Sequence, residues 1–167
     1  MKKSQRSILQ SLNILPGEER IVGALVMLSG LVSLARLFNT TASSTLFLHT
    51  FNASILPFTY MSMAIVAPLI GFLNTRLEKR VPFVRLHLYN IIGYFIILGA
   101  LRLAMSLTNA GWPVFIYFMW SEIGWILLNL MLWGLAGRLL TVRQAKRLFG
   151  LIGASGSLAT ISIGFFL

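Results

Sequence analysis

The stretch that decides the fold, residues 112–138, has the sequence WPVFIYFMWSEIGWILLNLMLWGLAGR. It is almost wholly apolar over a length that crosses a bilayer, and Glu122 lies inside it. A carboxylate within a membrane span is costly unless it is paired or faces water, so Glu122 marks a candidate functional site. Asn129 follows two helical turns later on the same face, which predicts one polar side for this helix.

A basic segment and a series of small residues follow this span. Residues 138–147 are RLLTVRQAKR, in which Thr141 and Gln144 have the spacing of a capping box and predict the start of a fifth helix. Small residues then recur on one face of that helix, where they would let another helix approach closely. We expect this packing role for Gly153, Gly156, Ser157, Thr160 and Gly164.

The composition indicates a polytopic membrane protein of the all-α class. Of the 167 residues, 57% are hydrophobic and 11% are charged, whereas roughly 25% are charged in a soluble domain. The net charge of +10 comes from basic residues in short segments between apolar runs. We interpret these residues as signals of membrane topology and expect no binding of nucleic acid.

The inventory of reactive side chains predicts no enzyme. The chain has no cysteine, which excludes disulfides and thiolate chemistry. His49 and His87 are isolated and cannot build a metal site by themselves. No nucleophile with a base and no pair of carboxylates is visible, so we expect no catalysis, no metal and no cofactor.

The apolar runs predict a cytoplasmic amphipathic arm over residues 1–16 and a transmembrane bundle over residues 17–167. The predicted spans cover about residues 18–49, 54–75, 82–107, 113–138 and 142–167. Pro68 lies near the middle of the second span, where it predicts a kink. The chain stops at Leu167 within apolar sequence, so we expect it to be an N-terminal fragment of a longer protein.

The first span allows two interpretations. If its helix ends at Phe38, Arg36 extends to the outer membrane surface. If the helix continues to about His49, Arg36 lies deep in the membrane, with Thr40 and Ser43 on its face. The long helix is favoured because no Gly or Pro interrupts residues 37–49.

Lysine and arginine residues predict the topology. They occur in the amino-terminal arm and in the second-to-third and fourth-to-fifth connections, whereas the connections near residues 50–53 and 108–111 have none. The amino terminus is therefore expected in the cytoplasm. The expected cytoplasmic basic loops contain Arg76, Lys79, Arg80, Arg143, Lys146 and Arg147.

Polar residues within the spans predict a substrate path. Arg36 and Glu122 lie about 20 Å and about 14 Å from the outer ends of their helices, at similar depth. They could form a pair that opens for a charged substrate, form a permanent strut, or not meet at all. Polar residues of the third span could line the path or hydrogen-bond neighbouring helices. The candidate path comprises Arg36, Thr40, Ser43, Asn90, Tyr94, Glu122 and Asn129.

Several segments resemble a known transporter family. They include Leu46-Phe47-Leu48, Phe51-Asn52-Ala53, Leu56-Pro57 with Tyr60, Trp120-Ser121-Glu122, Trp133-Gly134-Leu135-Ala136 and, above all, residues 143–158, RQAKRLFGLIGASGSL. These segments resemble the ATP/ADP exchanger (nucleotide transporter) family and its bacterial relatives within the major facilitator superfamily. The resemblance covers most of residues 17–167 and is most specific in residues 143–158.

The resemblance implies a twelve-helix, alternating-access transporter of which this chain is a partial N-terminal half. The implied partners are the bilayer, the remaining transmembrane helices of the parent transporter, and a nucleotide or other anionic substrate. The implied location is a bacterial inner membrane. Nucleotide exchangers hold phosphates with lysines in their spans, and since the apolar runs here contain none, Arg36 is expected to replace them. The alternative function is a non-transporting membrane anchor or sensor module of a larger fusion protein.

Overall fold

The computed structural model describes residues 14, 15, 17–108 and 110–165, which form five α-helices and no strand. The helices are α1 (Glu19–Thr50), α2 (Leu56–Glu78), α3 (Phe83–Leu107), α4 (Trp112–Leu139) and α5 (Val142–Gly164), and a short 3-10 helix (Ala53–Ile55) precedes α2. All five are long and apolar enough to cross a membrane. The prediction of an all-α chain with about five such helices is confirmed for the described residues. The predicted arm over residues 1–16 lies outside them, apart from Ile14 and Leu15.

Helix α1 decides between the two interpretations of the first span. It runs without a break from Glu19 to Thr50, so the helix continues past Arg36 and Phe38, as the second interpretation expects. The depth of Arg36 in a membrane stays a prediction. Its 32 residues correspond to about 48 Å at 1.5 Å per residue. A bilayer has a hydrocarbon core of about 30 Å, so α1 must tilt, project from the core, or do both.

A capping box marks the start of α5, and a proline lies at the start of α2. The backbone N–H of Thr141 donates to the side-chain oxygen of Gln144 (2.8 Å), and the backbone N–H of Gln144 donates to the Thr141 hydroxyl (3.5 Å). The predicted capping box is therefore confirmed. At the start of α2, Pro57 is accommodated because the first turn of a helix needs no backbone donor there. The helix continues through Pro68.

The chain divides into two compact units, which are described separately. The first unit is Met1–Leu37 with Met131–Leu167. Its buried core joins the beginning of α1, the end of α4 and the beginning of α5. The core residues are Ile14, Val22, Leu25, Ala136, Leu140, Leu148 and Ile152.

The second unit, Phe38–Leu130, contains an aromatic core. The fully buried Phe47 of α1 lies with its ring centroid 4.6 Å from that of Phe118 and 6.2 Å from that of Phe115, both on α4. Tyr60 of α2 contacts Phe118 edge-on at 6.3 Å. Offset and edge-on aromatic contacts of this kind stabilise packing beyond the area they bury. They hold α1, α2 and α4 together within this unit.

Candidate functional site

Three polar side chains of the second unit meet between α1, α3 and α4. The side-chain amide of Asn39 donates a hydrogen bond to the Tyr94 hydroxyl (2.8 Å), and the Tyr117 hydroxyl donates to the Asn39 side-chain oxygen (3.1 Å). All three side chains are half-buried. We call Asn39, Tyr94 and Tyr117 the Asn39 cluster. Each helix contributes one member, so the cluster connects all three helices.

Two members of the Asn39 cluster, Asn39 and Tyr94, lie well inside their helices. Counting 1.5 Å per residue, Asn39 is about 16 Å from the end of α1 at Thr50. Tyr94 is about 20 Å from the end of α3 at Leu107. Tyr117 is closer to a helix end, about 8 Å from the start of α4 at Trp112.

Helix α4 fixes the Tyr94 ring from two sides. The Trp120 ring stacks on it, with centroids 6.0 Å apart and planes inclined by 15°. The indole N–H of Trp120 also donates to the backbone oxygen of Tyr94 (3.3 Å). One turn later, a β-carbon built on Gly124 would lie 2.6 Å from Cζ of Tyr94, closer than two such atoms can approach. Glycine at position 124 therefore leaves the space that the Tyr94 ring fills.

Ser43 of α1 and Ser121 of α4 form a buried pair of hydroxyls. Ser43 lies four residues after Asn39, and Ser121 lies four residues after Tyr117. The hydroxyl oxygens of Ser43 and Ser121 are 3.0 Å apart, and both side chains are buried. Ser43 donates its hydrogen to the backbone oxygen of Thr40 (3.2 Å), so Ser121 is the donor within the pair. Each hydroxyl is thereby satisfied inside the protein.

Helix α3 places its other polar residues against α2 and within itself. The side chain of Asn90 donates to the side-chain oxygen of the buried Asn74 on α2 (2.8 Å). The buried His87 donates from Nδ1 to the backbone oxygen of Phe83 (2.9 Å), and its Nε2 has no partner among the described residues. Asn90 and Tyr94 thus hydrogen-bond neighbouring helices, one of the two alternatives considered for this face.

The remaining residues of the predicted path lie in both units. Arg36 is exposed and belongs to the first unit. In the second unit, Thr40, Glu122 and Asn129 are half-buried, and the Asn129 side chain donates to the backbone oxygen of its own helix at Trp125 (3.0 Å). The pairing of Arg36 with Glu122 stays a prediction.

Among the residues predicted to form the packing face of α5, Gly156 makes the close contact with α1. A β-carbon built on the buried Gly156 would meet the Ser33 hydroxyl and would lie 3.0 Å from the Ser29 hydroxyl, both on α1. Apart from its chain neighbours and the local backbone of α5, no described atom lies within 4 Å of a β-carbon built on Gly153 or Gly164. Ser157 is exposed, and the Thr160 hydroxyl donates to the backbone oxygen of Gly156 (3.0 Å).

Helices α1 and α5 are also joined at their amino-terminal ends. Arg147 forms an ion pair with Glu18, and the side chain of Gln144 donates to the other carboxylate oxygen of Glu18 (2.8 Å). The Gln144 hydrogen bond, supported by the Leu15 backbone N–H and by Arg147, lowers the pKa of the Glu18 carboxyl despite its partial burial. We call Glu18, Gln144 and Arg147 the Glu18 junction.

The other residues of the expected basic loops lie at helix ends. Arg76, in the last turn of α2, has its guanidinium 4.7 Å from the centroid of the Phe72 ring, a cation–π contact. Lys79 and Arg80 follow directly after α2, and both are exposed. Arg143 and Lys146 are exposed in the first turns of α5.

Sequence reasoning missed several residues of the site. The predicted path contained Tyr94 but not its partners Asn39, Tyr117 and Trp120. Asn39 was left out of the face that begins at Arg36, although a spacing of three residues places it there. The sequence did contain a signal. Tyr117 and Ser121 are four residues apart on α4, as are Trp120 and Gly124, so each pair lies on one face of the helix where it can contact a neighbouring helix.

No protein-family model, no curated protein and no solved structure matches this chain. Within the described residues, no group of three or more His, Asp or Glu side chains could hold a metal ion. The polar contacts between the helices and the sequence motifs are therefore the features that bear on function.

Proposed function

We propose that this chain is part of a membrane transporter that resembles the ATP/ADP exchangers of the major facilitator superfamily. It supplies a partial N-terminal half, crosses a bacterial inner membrane from a cytoplasmic amino terminus, and works by alternating access with the remaining helices of the parent protein. Its substrate is a nucleotide or another anionic solute. The motif over residues 143–158 supports the family, and the Asn39 cluster supports transport.

The Asn39 cluster is the observation that carries this proposal. An amide and two phenols within apolar helices are costly to hold in lipid, so their presence favours a function beyond packing. Transporters of this general design bind solutes near the bilayer midplane, where their helices meet. The cluster brings side chains of α1, α3 and α4 together, and Asn39 and Tyr94 lie well inside their helices.

Arg36 and Glu122 provide the charges in this proposal. Arg36 would attract the anionic group of the solute, and Glu122 is the second charge of the proposed path. The Glu122 side chain is half-buried and lies one residue after the buried Ser121.

A second candidate function, a non-transporting anchor or sensor module, is favoured by the closed polar pairs. Ser43 with Ser121 and Asn74 with Asn90 hydrogen-bond one another in largely buried positions. Pairs of this kind serve as glue between membrane helices and need no ligand. In this alternative, the Asn39 cluster would also be a fixed packing contact.

Exchange in liposomes tests the proposal. The complete protein that contains this chain is reconstituted, the liposomes are loaded with ATP, ADP or inorganic phosphate, and uptake of the labelled solute is measured. We expect Arg36→Gln and Glu122→Gln to lose most of the exchange. Arg102→Gln, which removes an exposed arginine of α3, is the matched control and should keep it. Unchanged uptake in both variants would remove these residues from the path, and no exchange by the wild-type protein would favour the anchor.

A further inference from the structure

The Asn39 cluster does not use all of its hydrogen-bond donors. The Asn39 amide has two N–H groups, one of which donates to Tyr94, and its oxygen accepts from Tyr117. The Tyr94 hydroxyl accepts from Asn39 and so keeps its own hydrogen. Within the described part of the chain, neither this hydroxyl hydrogen nor the second N–H of Asn39 has an acceptor. Two donors on adjacent groups therefore remain open.

These two donors are held in place. The Tyr94 ring fills the space beside Gly124 and stacks on Trp120, so the phenol cannot turn away easily. The Asn39 amide is fixed at both ends by the two tyrosine hydroxyls. Donors that are positioned before a ligand arrives lose little freedom on binding, which is the usual property of a recognition site.

We propose that the Tyr94 hydroxyl and the second N–H of Asn39 bind an acceptor oxygen of the transported solute. This inference rests on the proposed transport function and deepens it by naming a contact of the solute. Both groups donate and neither is charged, so they select a solute oxygen with lone pairs, and the hydrogen bonds are stronger when that oxygen is anionic. Tyr117 and Trp120 act as positioning residues, because they hold Asn39 and Tyr94 without using the open donors.

Two parts of a nucleotide offer such an oxygen: the phosphate group, and the nucleoside with its ribose oxygens and, in guanine, a base carbonyl. The chemistry at Tyr94 and Asn39 is the same in both cases. Inorganic phosphate presents only phosphoryl oxygens, whereas guanosine presents the base carbonyl and the ribose oxygens without any phosphate. Comparing these two solutes with GDP, which has both groups, identifies the oxygen that is bound.

The test replaces Tyr94 by phenylalanine in the complete protein. Tyr94→Phe keeps the ring against Trp120 and Gly124 but removes the hydroxyl. Tyr89→Phe is the matched control, since Tyr89 lies on the same helix and is 62% exposed. Dissociation constants for inorganic phosphate, guanosine and GDP are measured by titration calorimetry in lipid nanodiscs. One lost hydrogen bond is expected to weaken binding about 3-fold to 10-fold in Tyr94→Phe and to leave Tyr89→Phe unchanged.

The outcomes separate this inference from the proposed function. Weaker phosphate binding in Tyr94→Phe assigns the donors to a phosphoryl oxygen, and weaker guanosine binding assigns them to the nucleoside. Equal affinities in Tyr94→Phe and wild type overturn the inference but leave transport standing if the liposome exchange succeeds. A wild-type protein that binds none of the three solutes also overturns it. Melting temperatures of both variants show whether a loss of affinity is only a loss of folded protein.

Discussion

The ring of Tyr94 on α3 occupies the space that a side chain at position 124 of α4 would need, with Cζ 2.6 Å from a β-carbon built there. The lack of a side chain at Gly124 lets the Tyr94 ring, and with it α3, lie close to α4 in the second unit. It also sets the position of the Tyr94 hydroxyl, because the ring is held between Gly124 and Trp120. The geometry of the Asn39 cluster therefore depends on a residue that has no polar side chain.

Gly124→Ala should therefore destabilise the protein by displacing Tyr94. Forcing a methyl group into a filled space typically costs about 1–3 kcal/mol, which exceeds the gain of about 0.5–1 kcal/mol from replacing glycine by alanine in a helix. Gly137→Ala on the same helix is the control, since no described atom lies within 4 Å of its β-carbon position. Denaturant unfolding in detergent micelles compares the two variants. Equal stability of Gly124→Ala and Gly137→Ala would show that Tyr94 can move aside.

Tyr117→Phe should weaken the contact of α4 with α1. It removes the hydrogen bond to the Asn39 oxygen and leaves a half-buried acceptor without its partner. The expected loss in the free energy of unfolding is about 0.5–1.5 kcal/mol, and measured hydrogen bonds between membrane helices tend towards the lower end. A double-mutant cycle with Asn39→Ala isolates this contact. A coupling energy of zero between the two substitutions would contradict the hydrogen bond.

Gly156→Ala should loosen the first unit, whereas Gly153→Ala should not. A β-carbon at position 156 meets the Ser33 hydroxyl and approaches the Ser29 hydroxyl, which itself donates to the backbone oxygen of Ile152 (2.7 Å). The overpacking is expected to cost about 1–3 kcal/mol, while alanine at position 153 finds open space among the described residues. Thermal unfolding of the two variants is the measurement. A larger effect at position 153 than at position 156 would place the helix crossing elsewhere.

Because of the Glu18 junction, the stability of the folded protein should decrease at acidic pH. The pKa of the Glu18 carboxyl is lower in the folded protein than its ordinary value, chiefly because of the hydrogen bond from Gln144. The stabilisation is therefore complete above the ordinary pKa of a glutamate, and it is lost as the pH falls through the lowered folded-state pKa. Melting temperatures between pH 7 and pH 3 should fall less steeply for Glu18→Gln than for wild type. The neighbouring variant Glu19→Gln should keep the wild-type slope, and an equal change in both variants would contradict the prediction.

The elements of this fold are encoded locally, and for that reason they could be predicted. Hydropathy over about 20 residues identifies a helix that can span a membrane. The continuity of α1 past Arg36 follows from the lack of Gly and Pro in residues 37–49, and the start of α5 follows from the Thr141–Gln144 capping box. Each of these signals is contained in one short segment and needs no knowledge of a neighbouring helix.

The partners of the polar residues could not be predicted, because they depend on how each helix is rotated about its axis. The stripe from Arg36 contained Thr40 and Ser43 but left out Asn39, which is the residue that joins Tyr94 to Tyr117. The small residues of α5 likewise predicted a packing face, but they did not predict which of them contacts α1. That residue is Gly156. The contacts of Glu18 with Gln144 and Arg147 also require the packing of α5 against α1.

The length of α1 has a consequence for the surrounding lipid. Its 32 residues correspond to about 48 Å, whereas the 23 residues of α2 correspond to about 35 Å. With both helices across one bilayer, no single acyl-chain length matches the two, and the hydrophobic mismatch has opposite signs at α1 and α2 when the bilayer thickness lies between their lengths. Longer acyl chains reduce the mismatch at α1 and increase it at α2. A change in membrane thickness therefore acts in opposite directions on these two helices.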